Sequence, residues 1–158
     1  MLASVETFAL FVHLVGAFLF VGGALVAAIA FEAARRRVRP DEIVLLLGLT
    51  RIGVLFVGVG GLVLFVSGLG LVELEDVGYG APWIVAAIAL FATACVLGAF
   101  GGRRPKQARL LAARLARDGR EETSELRALL DDRGSRAANY LSGLLVLVIL
   151  ALMVFQPE

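Results

Sequence analysis

FALFVHLVGAFLFVGGALVAAIAF, from Phe8 to Phe31, carries no charged residue, and the block after it, EAARRRVRPDE from Glu32 to Glu42, is dominated by charge. That change decides the fold class. An unbroken apolar run of this length matches the ~20 residues a helix needs to cross a hydrocarbon core ~30 Å thick. Comparable runs follow at about 52–71, 82–100 and 138–155. The chain is 59% hydrophobic with a mean hydropathy of +0.89, and its 18% of charged residues falls into blocks between the runs. A soluble protein intersperses charge over its surface, so composition excludes that class. The sequence predicts an all-α fold: an integral membrane four-helix bundle, one transmembrane domain over residues 1–158.

Charge sets the expected orientation. Arg35, Arg36, Arg37, Arg39 and Arg51 surround the first inter-helix segment. The other ten of the 15 basic residues lie between Arg103 and Arg136. The opposite side carries only acids: Glu6, Glu73, Glu75, Asp76 and Glu158. The positive-inside rule then places both termini outside and segments 35–43 and 103–136 in the cytoplasm, in a bacterial inner membrane. Tyr79 and Trp83 at the outer boundary and Tyr140 at the inner one suit interfacial anchoring. No Lys or Arg precedes the first run, which is too long for a signal-peptide core and is expected to stay in the mature protein.

Pro40, Asp41 and Glu42 read as a helix start, because proline suits the first turn and acids favour the positive end of the dipole. The second helix is expected from about Ile43 to Val72, with Arg51 at the inner interface. Between the third and fourth spans, Lys106 to Asp118 reads as a short helix stopped by Gly119, and Glu121 to Arg133 as a second one ended by Gly134. The pair forms a hairpin, either lying on the membrane or capping the bundle. Acids interleave with its basic residues and no aromatic lies between Arg103 and Arg136, which argues against a nucleic-acid partner.

Polar residues within the spans are few. His13 is the sole histidine, and Gly16, Phe20, Gly23, Ala24, Ala27 and Phe31 share its helix face. An imidazole on such a face hydrogen-bonds a neighbouring helix, ligates haem b or copper, hydrogen-bonds a quinone, or serves proton transfer or substrate contact. One histidine supplies one ligand, so a second would come from a dimer mate or a residue such as Met153, or be absent. Arg51 either snorkels to headgroups or grips a lipid phosphate or a cofactor carboxylate. Cys95, with no adjacent cation or histidine, reads as a small apolar residue. Gly53 and Gly60 are seven apart, as are Gly61 and Gly68, which keeps small residues on one face for close packing, a dimer contact or a flat cofactor.

Two stretches carry a resemblance: His13-Leu14-Val15-Gly16-Ala17 with Phe20-Val21-Gly22-Gly23, and the run from Gly60 through Ser67-Gly68-Leu69 to Ala81-Pro82-Trp83-Ile84. Together they resemble a family of small bacterial predicted integral membrane proteins of unknown function. More distantly they resemble the membrane domain of copper-resistance D (CopD)-type proteins and HemJ-type protoporphyrinogen oxidases. The resemblance spans roughly Phe8 to Phe100 and implies a helical bundle in which a first-span histidine handles haem or copper. Only His13 carries over: the further histidines of copper carriage and a HemJ-type intramembrane lysine have no counterpart here.

Three functions compete. The first is a scaffold, assembly factor or accessory subunit without its own catalytic site, partnered by the lipid bilayer, a second copy or a larger membrane complex. The second is a haem- or copper-handling redox protein centred on His13. The third is a small-solute carrier or channel, for which the spans offer little beyond Ser67, Thr93 and Ser142.

Overall fold

The computed structural model describes residues 2–74 and 78–155. The expected outer acids Glu75, Asp76 and Glu158 lie outside the described residues. Every element among those described is an α-helix: α1 (Leu2–Arg35), α2 (Pro40–Leu74), α3 (Pro82–Gly101), α4 (Arg103–Arg117), α5 (Ser124–Leu130) and α6 (Arg133–Phe155).

Four stretches are long and apolar enough to cross a membrane: Ser4–Arg35, Pro40–Leu74, Pro82–Arg117 and Ser124–Phe155. At 1.5 Å per residue α1 and α2 are each about 50 Å long, whereas a hydrocarbon core takes only ~30 Å. α1 and α2 therefore continue past the hydrocarbon core. The other two stretches break at Gly102 and at Asp131–Asp132, which leaves α3 and α6 close to the length of a span. Gly102 keeps right-handed helical angles (φ −76°, ψ −11°), so the chain runs from α3 into α4 with only a local break.

The described residues group into two compact units. The first, Met1–Ile29 with Leu49–Ala81, contains most of α1 and α2 as an antiparallel pair. The Tyr79 hydroxyl lies 3.3 Å from the Leu69 carbonyl and 3.2 Å from Glu73 Oε2, within donating reach of either at the end of α2.

The second unit, Ala30–Gly48 with Pro82–Glu158, holds the end of α1, the start of α2 and all of α3 to α6. Its core is Phe31, Ala34, Ile43, Leu47, Ala108, Ala112, Leu115, Leu126 and Leu130. The helical hairpin expected between the third and fourth spans is present as α4–α5, and this core docks it on the α1–α2 turn. Gly119 stops α4 as expected, in the left-handed region at φ 62° that an L side chain rarely adopts. Thr123 caps α5 by accepting from Leu126 N at 3.3 Å. Gly134 is not a stop. It lies in the first turn of α6, because Asp132 Oδ2 accepts from Ser135 N at 2.8 Å and starts that helix one residue earlier.

α3 and α6 pack antiparallel on small residues. Buried Ala87, Ala94 and Gly101 of α3 are spaced by sevens, as an under-wound left-handed pair requires. Hydroxyls from α6 tie the seam: Ser142 Oγ donates to the Ala94 carbonyl and Ser135 Oγ to the Gly101 carbonyl, both at 2.9 Å.

Candidate functional site

In the first unit the seam between α1 and α2 runs in steps of three and four. Going outward along α1, Ala27, Gly23, Phe20, Gly16 and His13 meet Gly53, Val57, Gly60, Leu64 and Ser67 of α2 in turn. The approach is backbone to backbone. A Cβ at Gly23 would lie 2.6 Å from the Gly53 carbonyl oxygen, and one at Gly53 equally close to the Gly23 oxygen. A Cβ at Gly16 would lie 2.7 Å from Leu64 N, and one at Gly60 would strike Phe20 N. Gly61 is also buried. By contrast Gly22, Gly58 and Gly70 have open space where a Cβ would go. Ala24, which the helix wheel put on the His13 face, is exposed, because the 3–4 stepping turns that face towards Ala27.

His13 closes the seam at its outer end. Its Nδ1 lies 3.1 Å from Ser67 Oγ. Ser67 Oγ in turn donates to the Val63 carbonyl at 2.6 Å. With the hydroxyl proton used there, the bond to the ring requires the proton on His13 Nδ1, and Nε2 keeps its lone pair. A Cβ on Gly68 would lie 3.1 Å from His13 Cε1, so the imidazole rests against that glycine. Beside this contact an apolar groove of about 450 Å³ runs between the two helices, lined by Phe8, Ala9, Val12, Leu62, Val66 and Ser67 among others.

Arg51 lies on the same unit, exposed, with no hydrogen bond or ion pair among the described residues. Cys95 is exposed on α3. No group of three or more His, Cys, Asp or Glu side chains gathers among the described residues in a way that could hold a metal ion.

In the second unit the most elaborate polar site is one that composition and helical periodicity did not single out. Arg127 of α5 reaches across to the end of α1, donating to the Arg35 carbonyl at 2.5 Å and the Arg37 carbonyl at 2.9 Å. The Arg35 carbonyl is one that the end of α1 leaves without an intrahelical partner, and the Arg37 carbonyl lies two residues past the helix. Glu122 Oε1 lies 2.5 Å from Arg127 Nη2, at an angle that makes it an ion pair rather than an aligned hydrogen bond. Arg35 completes the latch in the other direction, 2.8 Å from Asp131 Oδ1 and 2.7 Å from Glu32 Oε2. Its side chain is only 15% exposed, and Asp131, aided by Glu32, holds the guanidinium above even its usual high pKa.

Long apolar helices, charged connecting segments and small-residue seams define a multi-pass integral membrane protein. The model of the family described as "Predicted integral membrane protein (DUF2269)" matches residues 7–157, and the chain belongs to that family. No curated protein and no solved structure matches the chain.

Proposed function

We propose that the protein is a non-catalytic scaffold, an assembly factor or accessory subunit of a larger membrane complex in a bacterial inner membrane. In this reading the chain is one transmembrane four-helix domain with both ends outside, and the α4–α5 hairpin is its cytoplasmic head. The observation that carries it is the dry core that fixes the hairpin to the α1–α2 turn, with Leu126, Leu130, Ala108 and Ala112 at 0% exposure. A segment that merely joined two spans would need neither that core nor the Arg127 latch. A head held in one orientation offers a partner a surface whose ordering entropy is already met. The hydroxyls within the spans fit the same reading: Ser67, Thr93 and Ser142 donate to the Val63, Ala89 and Ala94 carbonyls, which leaves little polar lining for a solute path.

One observation favours a second reading, His13 as a haem b or copper ligand. Nδ1 bonded to a hydroxyl with a free Nε2 lone pair is how metal-binding imidazoles are oriented. This chain would supply one ligand, and a homodimer mate or partner the rest.

Native mass spectrometry from membranes, with metal analysis and an absorption spectrum, separates the two. The scaffold predicts a colourless, metal-free chain in a complex of fixed stoichiometry. Reversing charge on the exposed face of α4 (Arg114→Glu with Arg117→Glu) should disperse that complex while the protein still inserts. A free monomer or dimer holding stoichiometric haem or copper, lost in His13→Gln, would overturn the scaffold in favour of the redox reading.

A further inference from the structure

Where α3 gives way to α4 and α5 to α6, the second unit has a cavity of about 390 Å³. That is within the ~300–1,000 Å³ range of ligand clefts. Its walls include Phe100, Arg103, Arg104, Gln107, Asp132 and Ser135. We propose that this cavity binds the phosphodiester headgroup of an anionic glycerophospholipid from the leaflet in which α3 ends.

The local fold concentrates donors there. With Gly102 keeping the chain helical, Arg103, Arg104 and Gln107 fall on one turn of α4 and face the cavity together. Their donors are largely unused. Arg103 has no carboxylate partner among the described residues, and its guanidinium lies over the Phe100 ring, 5.7 Å from the centroid. Arg104 Nε is 3.9 Å from Asp132 Oδ1, too far for a hydrogen bond. Asp132 is already committed through Oδ2 to Ser135 N, and Ser135 Oγ to the Gly101 carbonyl.

Charge selects the class of anion. Two arginines against one aspartate leave the lining at +1. A phosphodiester, at −1, brings it to neutrality. A free phosphate or a phosphomonoester carries about −1.5 to −2 at pH 7 and would leave an excess of negative charge beside Asp132. The planar guanidinium forks suit phosphate oxygens. Depth and polarity select a lipid as the source. The apolar run of α3 ends at this point, at the level where headgroups begin, and Phe100 is 53% exposed on the membrane side of the arginines. A phosphate from solution would have no use for that ring, whereas a glycerol backbone would lie against it.

The test is native mass spectrometry of the detergent-extracted chain, titrated with phosphatidylglycerol, with phosphatidylcholine and with inorganic phosphate. One phosphatidylglycerol per chain should persist at energies that strip phosphatidylcholine, and millimolar phosphate should not displace it. Arg103→Gln with Arg104→Gln should weaken that binding by about tenfold or more, since charge-assisted hydrogen bonds are lost. Arg114→Gln with Arg117→Gln removes equal charge elsewhere on α4 and should change it little. Arg103→Lys keeps the charge but loses the fork, and should weaken binding partially even if the double variant does not fold. Equal weakening in both double variants would reduce the site to general surface charge. Equal retention of the two lipids would remove the headgroup selectivity, and displacement by inorganic phosphate would make this a soluble-anion site. Any of these results overturns the proposal.

Discussion

Gly58 and Gly60 lie two residues apart on α2 and answer to different neighbours. A methyl group at Gly60 would strike the backbone of α1 at Phe20 and Gly16, which can yield only if the helices separate. A methyl group at Gly58 meets nothing within 4 Å. Gly60→Ala should therefore cost about 1–3 kcal/mol, the usual range for overpacking. Gly58→Ala should be neutral or stabilise by up to about 1 kcal/mol, since alanine is the better helix former. Unfolding of the two variants in a mixed detergent series measures both, and equal melting would place Gly60 away from the seam. The His13–Ser67 bond permits a similar argument. Ser67→Ala removes the oxygen 3.1 Å from Nδ1, but the Leu64 carbonyl is also within hydrogen-bonding reach of the ring. With a second acceptor at hand the variant should lose only about 1 kcal/mol, the net value of one ordinary hydrogen bond. A loss several times larger would mean that the imidazole has no alternative to Ser67.

At the scale of the element, Arg127 ties the α4–α5 hairpin to the chain at the end of α1. Arg127→Ala would remove the hydrogen bonds to the Arg35 and Arg37 carbonyls and leave Glu122, 14% exposed, without its cation. A destabilisation of about 3 kcal/mol is expected, from charge-assisted bonds lost and a carboxylate left unpaired. Arg127→Lys should recover only part of it, because one ammonium cannot serve the Arg35 and Arg37 carbonyls through a planar fork. Proteolytic nicking of the 118–123 turn and thermal unfolding give the ordering. If lysine matched arginine, charge rather than geometry would hold the hairpin. Much of this element was legible in advance. Leucine and alanine spacing marked α4 and α5, and Gly119 marked the turn. Gly134 was misread because glycine one residue inside a helix start looks, in sequence, like glycine one residue past an end. Only the Asp132 cap distinguishes the two. The latch was illegible for another reason. Arg127 is one of many arginines in its segment, and nothing local distinguishes the one that reaches another helix's carbonyls. The His13 partner was closer to being readable. His13 and Ser67 lie equally many residues on either side of Pro40, which is the register that a short antiparallel connection imposes.

For the molecule as a whole, orientation across the bilayer follows from where the basic residues lie relative to the helix ends. All 15 fall between Arg35 and Arg51 or between Arg103 and Arg136. These stretches hold the latch, the hairpin core and the cavity of the second unit. The turn between α2 and α3 has no lysine or arginine. Holding that many arginines on the translocated side would oppose both the insertion bias and the membrane potential, at about 2.3 kcal/mol per charge per 100 mV. The hairpin should therefore be cytoplasmic and the α2–α3 turn external. Cys95 is the sole cysteine, so Cys95→Ser gives a clean background for single-cysteine labelling. Gly80 has no neighbour within 4 Å of a Cβ, and Asp118 is exposed at the end of α4, so a cysteine at either place should leave the packing intact. In intact cells a membrane-impermeant maleimide should label Gly80→Cys and leave Asp118→Cys unlabelled until the cells are opened. The reverse pattern would turn the molecule over and put the arginine-rich hairpin outside. Labelling of both sites in intact cells would mean that the chain inserts in two orientations, in which case the charge asymmetry would not be what orients it.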